Sequence, residues 1–140
     1  GGTSGILIQF PLYFGIMGIM SGTGLVEALS MAMVRLSTPQ TFELWTVLSA
    51  GIVNVFVPSG GGQWAVQGPL LIRAALDLGV PLERTILAMA YGDELTNMLQ
   101  PFWALPLLGI TGLAAKDILP FTLRFLGVGL AICLLLTAAL

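Results

Sequence analysis

The sequence predicts an all-α membrane protein that contains a re-entrant helical hairpin and a discontinuous transmembrane helix. Hydrophobic residues make up 56% of the 140 residues and charged residues only 9%, and the mean hydropathy is +0.97. Soluble domains carry about 25% charged residues, so the bilayer is the expected solvent. A glycine- and proline-rich stretch at 54–69 lies between two short apolar runs, and polar residues interrupt a second apolar stretch at 93–101. These two interruptions indicate the hairpin and the broken helix.

The same composition argues against several classes of function. The net charge is −2 and there is no basic run, so we expect no nucleic-acid partner. Histidine is absent, and the single cysteine, Cys133, lies in an apolar run, so we expect no disulfide, no metal site and no cofactor. An intramembrane enzyme with Asp93 or Glu94 as its acid or base is an alternative that no histidine or metal-ligand cluster supports.

The first two elements are predicted to be a membrane span and a surface helix. Residues 3–21 hold no charge and predict a span in which Pro11 produces a kink, since neighbouring helices can satisfy the freed backbone groups. After a glycine-rich break, residues 25–36 carry Glu27 and Arg35 among leucine, methionine and valine. This pattern predicts a short helix that lies along the interface or caps the bundle.

Residues 41–77 predict a re-entrant hairpin with its tip at 58–62. The apolar limb 44–57 reaches roughly 21 Å as a helix, which is short of the roughly 30 Å hydrocarbon core. Apolar runs of this length are typical of re-entrant or buried segments. We therefore expect the chain to enter the membrane, turn at the tip and leave on the side from which it came.

Residues 82–113 predict a broken helix, and residues 118–140 predict a final span. The first stretch is long enough to cross the membrane, but its polar middle indicates two half-helices, about 82–92 and 102–112, joined by an unwound segment. A span, a hairpin, a broken helix and a span in this order are typical of one half of an inverted-repeat transporter. We therefore expect the N-terminal half of the same protein to be missing from this chain.

The hairpin tip is the first candidate binding site. The first N–H groups of a helix lack internal partners, and the helix dipole places about half a positive charge there. A helix that begins at the tip can therefore bind a carboxylate without lysine or arginine. Two glutamines four residues apart would add amide donors on one face, whereas the alternative is a plain flexible turn. The candidate substrate-binding residues of the tip are Ser59, Gly60, Gly61, Gly62, Gln63 and Gln67.

The polar middle of the broken helix is the second candidate site. Asp93, Thr96, Asn97 and Gln100 recur at positions i, i+3, i+4 and i+7, so they share one face of a helix. The last three are candidate substrate-binding residues, and Trp103 can wall an apolar pocket for a short acyl tail. The alternative is a water-exposed loop that only marks the end of a helix.

Three residues are candidates for coupling to an ion. Each ionised carboxylate at the bilayer centre costs roughly 2.5–3.5 kcal/mol, so Asp93 and Glu94 should not both stay charged and unpaired. We hypothesise that one of them takes up a proton or helps to bind a cation. Asn54 can supply a neutral oxygen to a cation such as Na⁺.

Two long motifs resemble the bacterial short-chain fatty acid transporters. The first is Val57-Pro-Ser-Gly-Gly-Gly-Gln-Trp-Ala-Val-Gln-Gly-Pro69, and the second is Ala90-Tyr-Gly-Asp-Glu-Leu-Thr-Asn-Met-Leu-Gln-Pro-Phe-Trp-Ala-Leu-Pro106. The opening Gly5-Ile-Leu-Ile-Gln-Phe-Pro-Leu-Tyr13 fits as well. The resemblance covers essentially the whole chain as the C-terminal part of that family's longer protein.

The resemblance implies a multi-pass secondary transporter of the bacterial inner membrane. Its substrates would be short-chain monocarboxylates such as acetoacetate and butyrate, carried in symport with H⁺ or Na⁺. It also implies inverted repeats, elevator motion in a homodimer, and a site to which the tip 58–63 and the break 92–101 contribute. A carrier for dicarboxylates or other small organic anions is an alternative, although no arginine or lysine falls at the tip to bind a second carboxylate. A membrane subunit that does not transport is another.

Overall fold

The computed structural model describes residues 2–139, and in that range the chain is all-helical. It forms seven α-helices and one 3-10 turn and contains no strand, which confirms the predicted all-α class. The helices are α1 (Gly2–Gly22), α2 (Leu25–Leu36), α3 (Phe42–Phe56), α4 (Gly60–Leu78), α5 (Leu82–Asn97), α6 (Leu105–Thr111) and α7 (Ala115–Ala139), and the 3-10 turn (Pro101–Ala104) precedes α6.

One described helix is by itself long and apolar enough to cross a membrane, and it lies within α7 at Ala115–Thr137. The segments Phe14–Gly22 and Leu25–Leu36 qualify only as a pair, which bends by 61° at the break between them. Gly24 ends this break with φ 72°, a left-handed conformation that glycine adopts without steric cost. The location of α2 at the membrane surface stays a prediction.

Helices α3 and α4 form the two limbs of the predicted hairpin. The connection is short, and α4 begins at Gly60, so the glycines form its first turn instead of preceding it. Ser59 is extended, and its Oγ accepts a hydrogen bond from the Gly62 N–H at 3.3 Å. This bond makes Ser59 the N-cap of α4, and it explains why the helix starts three residues earlier than a predicted tip that ends at 62 would suggest.

Helices α3 and α5 form the largest helix contact of the fold. Their backbones touch where Gly51 faces Gly92. A Cβ on Gly92 would overlap the carbonyl oxygen of Val47 and lie 2.8 Å from the Cβ of Ala50. A Cβ on Gly51 would lie 3.0 Å from Cγ2 of Thr96. Only glycine at position 92 allows this approach, which brings the end of α3 against the end of α5.

The interruption of the predicted broken helix lies further along the chain than expected. Helix α5 continues to Asn97, so residues 93–97 form its last turns and are not an unwound segment. The helix ends just before Pro101, which lacks an N–H and disfavours helical geometry in the residue before it. The predicted limb end at residue 92 is therefore corrected to 97, and the break comprises 98–104.

The buried core lies among α2, α3, α4 and α5, while α7 lies on the outside. One buried cluster contains Phe42, Ala50, Leu71, Ala75, Val80 and Met89. Many large apolar side chains elsewhere are exposed, such as Ile110 at 83% and Leu135 at 70%. An exterior of this kind is unfavourable in water and favours the predicted lipid environment.

Candidate functional site

Asn54 is the centre of a polar network that joins the hairpin to the end of α5. It is fully buried in the last turn of α3. Its Nδ2 lies within hydrogen-bonding distance of three acceptors, the carbonyl oxygen of Asp93 at 2.7 Å, Oγ1 of Thr96 at 3.0 Å and Oδ1 of Asn97 at 2.9 Å, which share its two hydrogens. Gln100 in turn donates from Nε2 to the carbonyl oxygen of Asn54 at 2.5 Å. The structure thus brings Asn54 together with four predicted site residues that lie 39 to 46 positions further along the chain.

The carboxyl group of Asp93 lies beside the first residue of α4. A Cβ placed on Gly60 would lie 3.2 Å from Oδ2 of Asp93. The N-terminal end of a helix carries partial positive charge, which favours a carboxylate in this position. The hairpin tip and the end of α5, to which the resemblance assigns a shared site, are therefore adjacent at Gly60 and Asp93.

The two adjacent carboxylates point in different directions. Asp93 faces the hairpin tip, whereas the exposed Glu94 lines a groove between α5 and α7 together with Tyr91 and Cys133. Of these two candidates for ion coupling, Asp93 is the one that contacts Asn54, through its backbone carbonyl oxygen.

Three oxygens of this network have no hydrogen-bond partner within residues 2–139. They are Oδ1 of Asn54, Oδ1 of Asp93 and Oε1 of Gln100, and each is inaccessible to solvent. Leaving a buried acceptor unsatisfied costs about 1–3 kcal/mol. Buried acceptors in native proteins usually have a partner, and each of these oxygens can accept a hydrogen bond from a water molecule or coordinate a cation.

Gln63 and Gln67 occupy a different place from the predicted one. Both are completely buried. Gln63 donates from Nε2 to the carbonyl oxygen of Ala50 and to Oε1 of Gln67, both at 2.9 Å, and Gln67 donates to Oγ of Ser49 at 3.1 Å. These hydrogen bonds connect the two glutamines to each other and connect α4 to α3. Both glutamines therefore face the neighbouring limb instead of the tip, and these amide hydrogens are not available to a substrate.

A cavity of about 270 Å³ lies between the break and the beginning of α7. Three residues of the second candidate site line this cavity, namely Asn97, Gln100 and Trp103. The remaining lining residues are Met98, Ala104, Ile118, Leu119 and Thr122.

Two groups of residues at this site were not identified from the sequence. The α7 residues of the cavity lie in a continuous apolar run, which is indistinguishable from a lipid-facing span. Gly51 and Gly92 carry no chemistry, although a glycine inside a helix is a recognisable signal of close packing.

Helices that end inside an apolar bundle, with polar side chains gathered at their ends, define a class of membrane protein that binds small polar solutes at helix interruptions. Comparison with known proteins makes the assignment more specific. The family model for short chain fatty acid transporters matches residues 1–138, and the chain belongs to that family. The family is one of transporters, not enzymes, and it implies a membrane location.

Two curated relatives support the same assignment. A candidate short-chain fatty acid transporter of Escherichia coli and one of Haemophilus influenzae are each 44% identical to the chain over 124 residues. These alignments cover 89% of the chain and 28% of each relative, so the chain spans little more than a quarter of the length of these relatives. No solved structure shows a significant match to the chain.

Proposed function

We propose that the full-length protein carries short-chain monocarboxylates across the bacterial inner membrane by cation-coupled secondary transport. In this proposal the chain supplies the C-terminal half of the binding site, and the N-terminal half supplies the rest. The observation that carries the proposal is the network around Asn54, which joins the end of α3 to the end of α5 and, through Gln100, to the break. The family membership supports the class of substrate.

The substrate carboxylate is proposed to bind at the start of α4, close to Ser59, Gly60 and Gly61. Gly60 and Gly61 are exposed, and a side chain on Gly61 would meet open space, so a solute can approach the backbone there. Bare N–H groups and the helix dipole provide the attraction. Asn97, one turn beyond Asp93 on α5, lines the adjacent cavity and extends the site toward the acyl chain.

Asp93 gives a reason for coupling to a cation. Its carboxyl group already lies beside Gly60, so a substrate carboxylate bound there would face a like charge. Like charges at close range in a poorly solvated site repel strongly. The substrate therefore binds well only when a cation neutralises Asp93.

Na⁺ and H⁺ are both candidates for the coupling ion. The unpartnered oxygens of Asn54, Asp93 and Gln100 favour Na⁺, because helix interruptions in transporters commonly supply oxygen ligands to this ion. Protonation of the Asp93 carboxyl group would remove the same repulsion, and this supports H⁺ as the second candidate.

The test uses the purified full-length protein in liposomes and labelled butyrate. Na⁺ and pH gradients are imposed separately, and accumulation is compared among the wild type, Asp93→Asn and Glu94→Gln. We expect one gradient to drive accumulation in the wild type and in Glu94→Gln. Asp93→Asn should lose gradient-driven accumulation while it retains butyrate exchange. Unchanged coupling in Asp93→Asn would contradict the proposed role of this carboxyl group.

Two alternatives predict different results. A dicarboxylate carrier predicts that succinate competes with butyrate, whereas the absence of lysine and arginine from 54–69 argues that it does not. A membrane subunit that does not transport predicts that Gly61→Trp changes assembly and leaves uptake intact. The homodimer implied by the resemblance stays a prediction, which the mass of the detergent-solubilised protein would test.

A further inference from the structure

We propose that the cavity between the break and α7 receives the hydrocarbon chain of the substrate, and that Ile118 and Leu119 on α7 limit the length of that chain. This inference rests on the proposed function, since it concerns the same binding site. It assigns a specificity role to α7, which otherwise has the exposed apolar surface of a lipid-facing helix.

The chemistry of the walls matches an acid with a short apolar chain. The wall from the end of α5 carries the amide groups of Asn97 and Gln100, next to the proposed carboxylate site. The opposite wall from α7 is mainly apolar, because Ile118 and Leu119 form part of it and Thr122 donates its hydroxyl hydrogen to the carbonyl oxygen of Leu119 at 3.1 Å. A molecule with one polar end and one apolar end is therefore the matching ligand.

The size of the cavity also matches a short chain. An apolar protein cavity of about 150 Å³ can hold benzene, which has six carbons. The cavity here measures about 270 Å³, and part of that space adjoins polar groups. This volume has room for a carboxylate with a few methylene groups.

The lining residues occupy one side of α7. Ile118 and Thr122 are one turn apart and half-buried, whereas Leu135 lies on the opposite side of the helix and is 70% exposed. A substitution on each side therefore separates an effect on the cavity from a general effect on α7.

The experiment compares two substitutions with opposite effects on cavity size in the full-length protein. Ile118→Ala enlarges the cavity, and Ala104→Leu fills it. Uptake of labelled propionate, butyrate and hexanoate is measured in liposomes, and kcat/KM is obtained for each acid. One methylene in an apolar pocket changes discrimination by about 10-fold or more. We expect the hexanoate-to-propionate ratio of kcat/KM to rise about 10-fold in Ile118→Ala and to fall about 10-fold in Ala104→Leu.

Leu135→Ala is the matched control, because it removes a side chain of the same size from the exposed side of α7, and its ratio should equal that of the wild type. An unchanged ratio in both cavity variants, or an equal loss for all three acids, would overturn the inference. If Ile118→Ala is not recovered in the membrane, Ile118→Val takes its place, and a smaller rise in the hexanoate-to-propionate ratio is expected. Failure of the wild type to take up any of the acids would instead contradict the proposed function.

Discussion

At the scale of single residues, Asn54 is decisive because one buried amide serves several acceptors on another helix. Its Nδ2 reaches the Asp93 carbonyl, Thr96 and Asn97, so it holds the end of α5 beside the hairpin. From the sequence, Asn54 was a candidate ion ligand on chemical grounds alone. For Gln63 and Gln67 the residue type suggested a binding role, whereas both side chains are buried and connect α4 to α3.

We predict that Asn54→Ala lowers the free energy of unfolding by about 1–3 kcal/mol, because its acceptors on α5 lose a buried donor. The measurement is thermal unfolding of the full-length protein in detergent. Thr23→Ala is the control, since the Thr23 hydroxyl bonds the carbonyl of Ile19 in the preceding turn and the residue is exposed. An Asn54→Ala variant as stable as this control would show that the network contributes little.

At the scale of secondary-structure elements, the crossing of α3 and α5 determines where the site lies. Gly51 and Gly92 let the two backbones touch, and the contact lies one helical turn from Asn54 and next to Asp93. The Ser59 cap and the Pro101 break place the ends of α4 and α5 near this crossing. The position of the site thus follows from helix ends and one close contact between helices.

We predict that Gly92→Ala destabilises the protein by about 1–3 kcal/mol or more and strongly reduces butyrate uptake, because the added methyl group overlaps the backbone of α3. Gly127→Ala on α7 is the matched control. A Cβ there meets nothing within 4 Å. Alanine inside a helix is favoured over glycine by roughly 0.5–1 kcal/mol, so the control should be neutral or slightly more stable. Equal behaviour of the two variants would contradict the close crossing.

At the scale of the whole molecule, the proposed function depends on a hairpin that enters and leaves the membrane on one side. Helix α3 has 15 residues and is about 22 Å long, which is shorter than the roughly 30 Å hydrocarbon core. Helix α4 has 19 residues, but Arg73 and Asp77 near its end form an exposed ion pair at 3.3 Å, which shortens its apolar part. The apolar part of each limb is therefore too short to cross the hydrocarbon core.

We predict that cysteines introduced at Gln40 and at Asp77, one at each limb's outer end, react with a membrane-impermeant thiol reagent from the same side of the membrane. The experiment uses the full-length protein in sealed vesicles of both orientations, with the other cysteines replaced. A cysteine introduced at Lys116, in the first turn of α7, is a reference for the membrane side on which that helix begins. Labelling of the two limb positions from opposite sides would exclude a re-entrant hairpin.

The sequence alone determined the helical class, the lipid environment, the family and the approximate helix ends. These properties depend on composition, apolar run length, capping residues and prolines, which act over a few neighbouring positions. The tertiary structure decided that Asp93 meets Gly60, that Asn54 binds the end of α5, that Gln63 and Gln67 pack inside, and that α7 closes a cavity. To predict those contacts one must know which helices cross and how closely they approach. The distance of approach depends on glycines such as Gly92 and on the helix packed against them, so it is a property of two segments that are distant in the sequence.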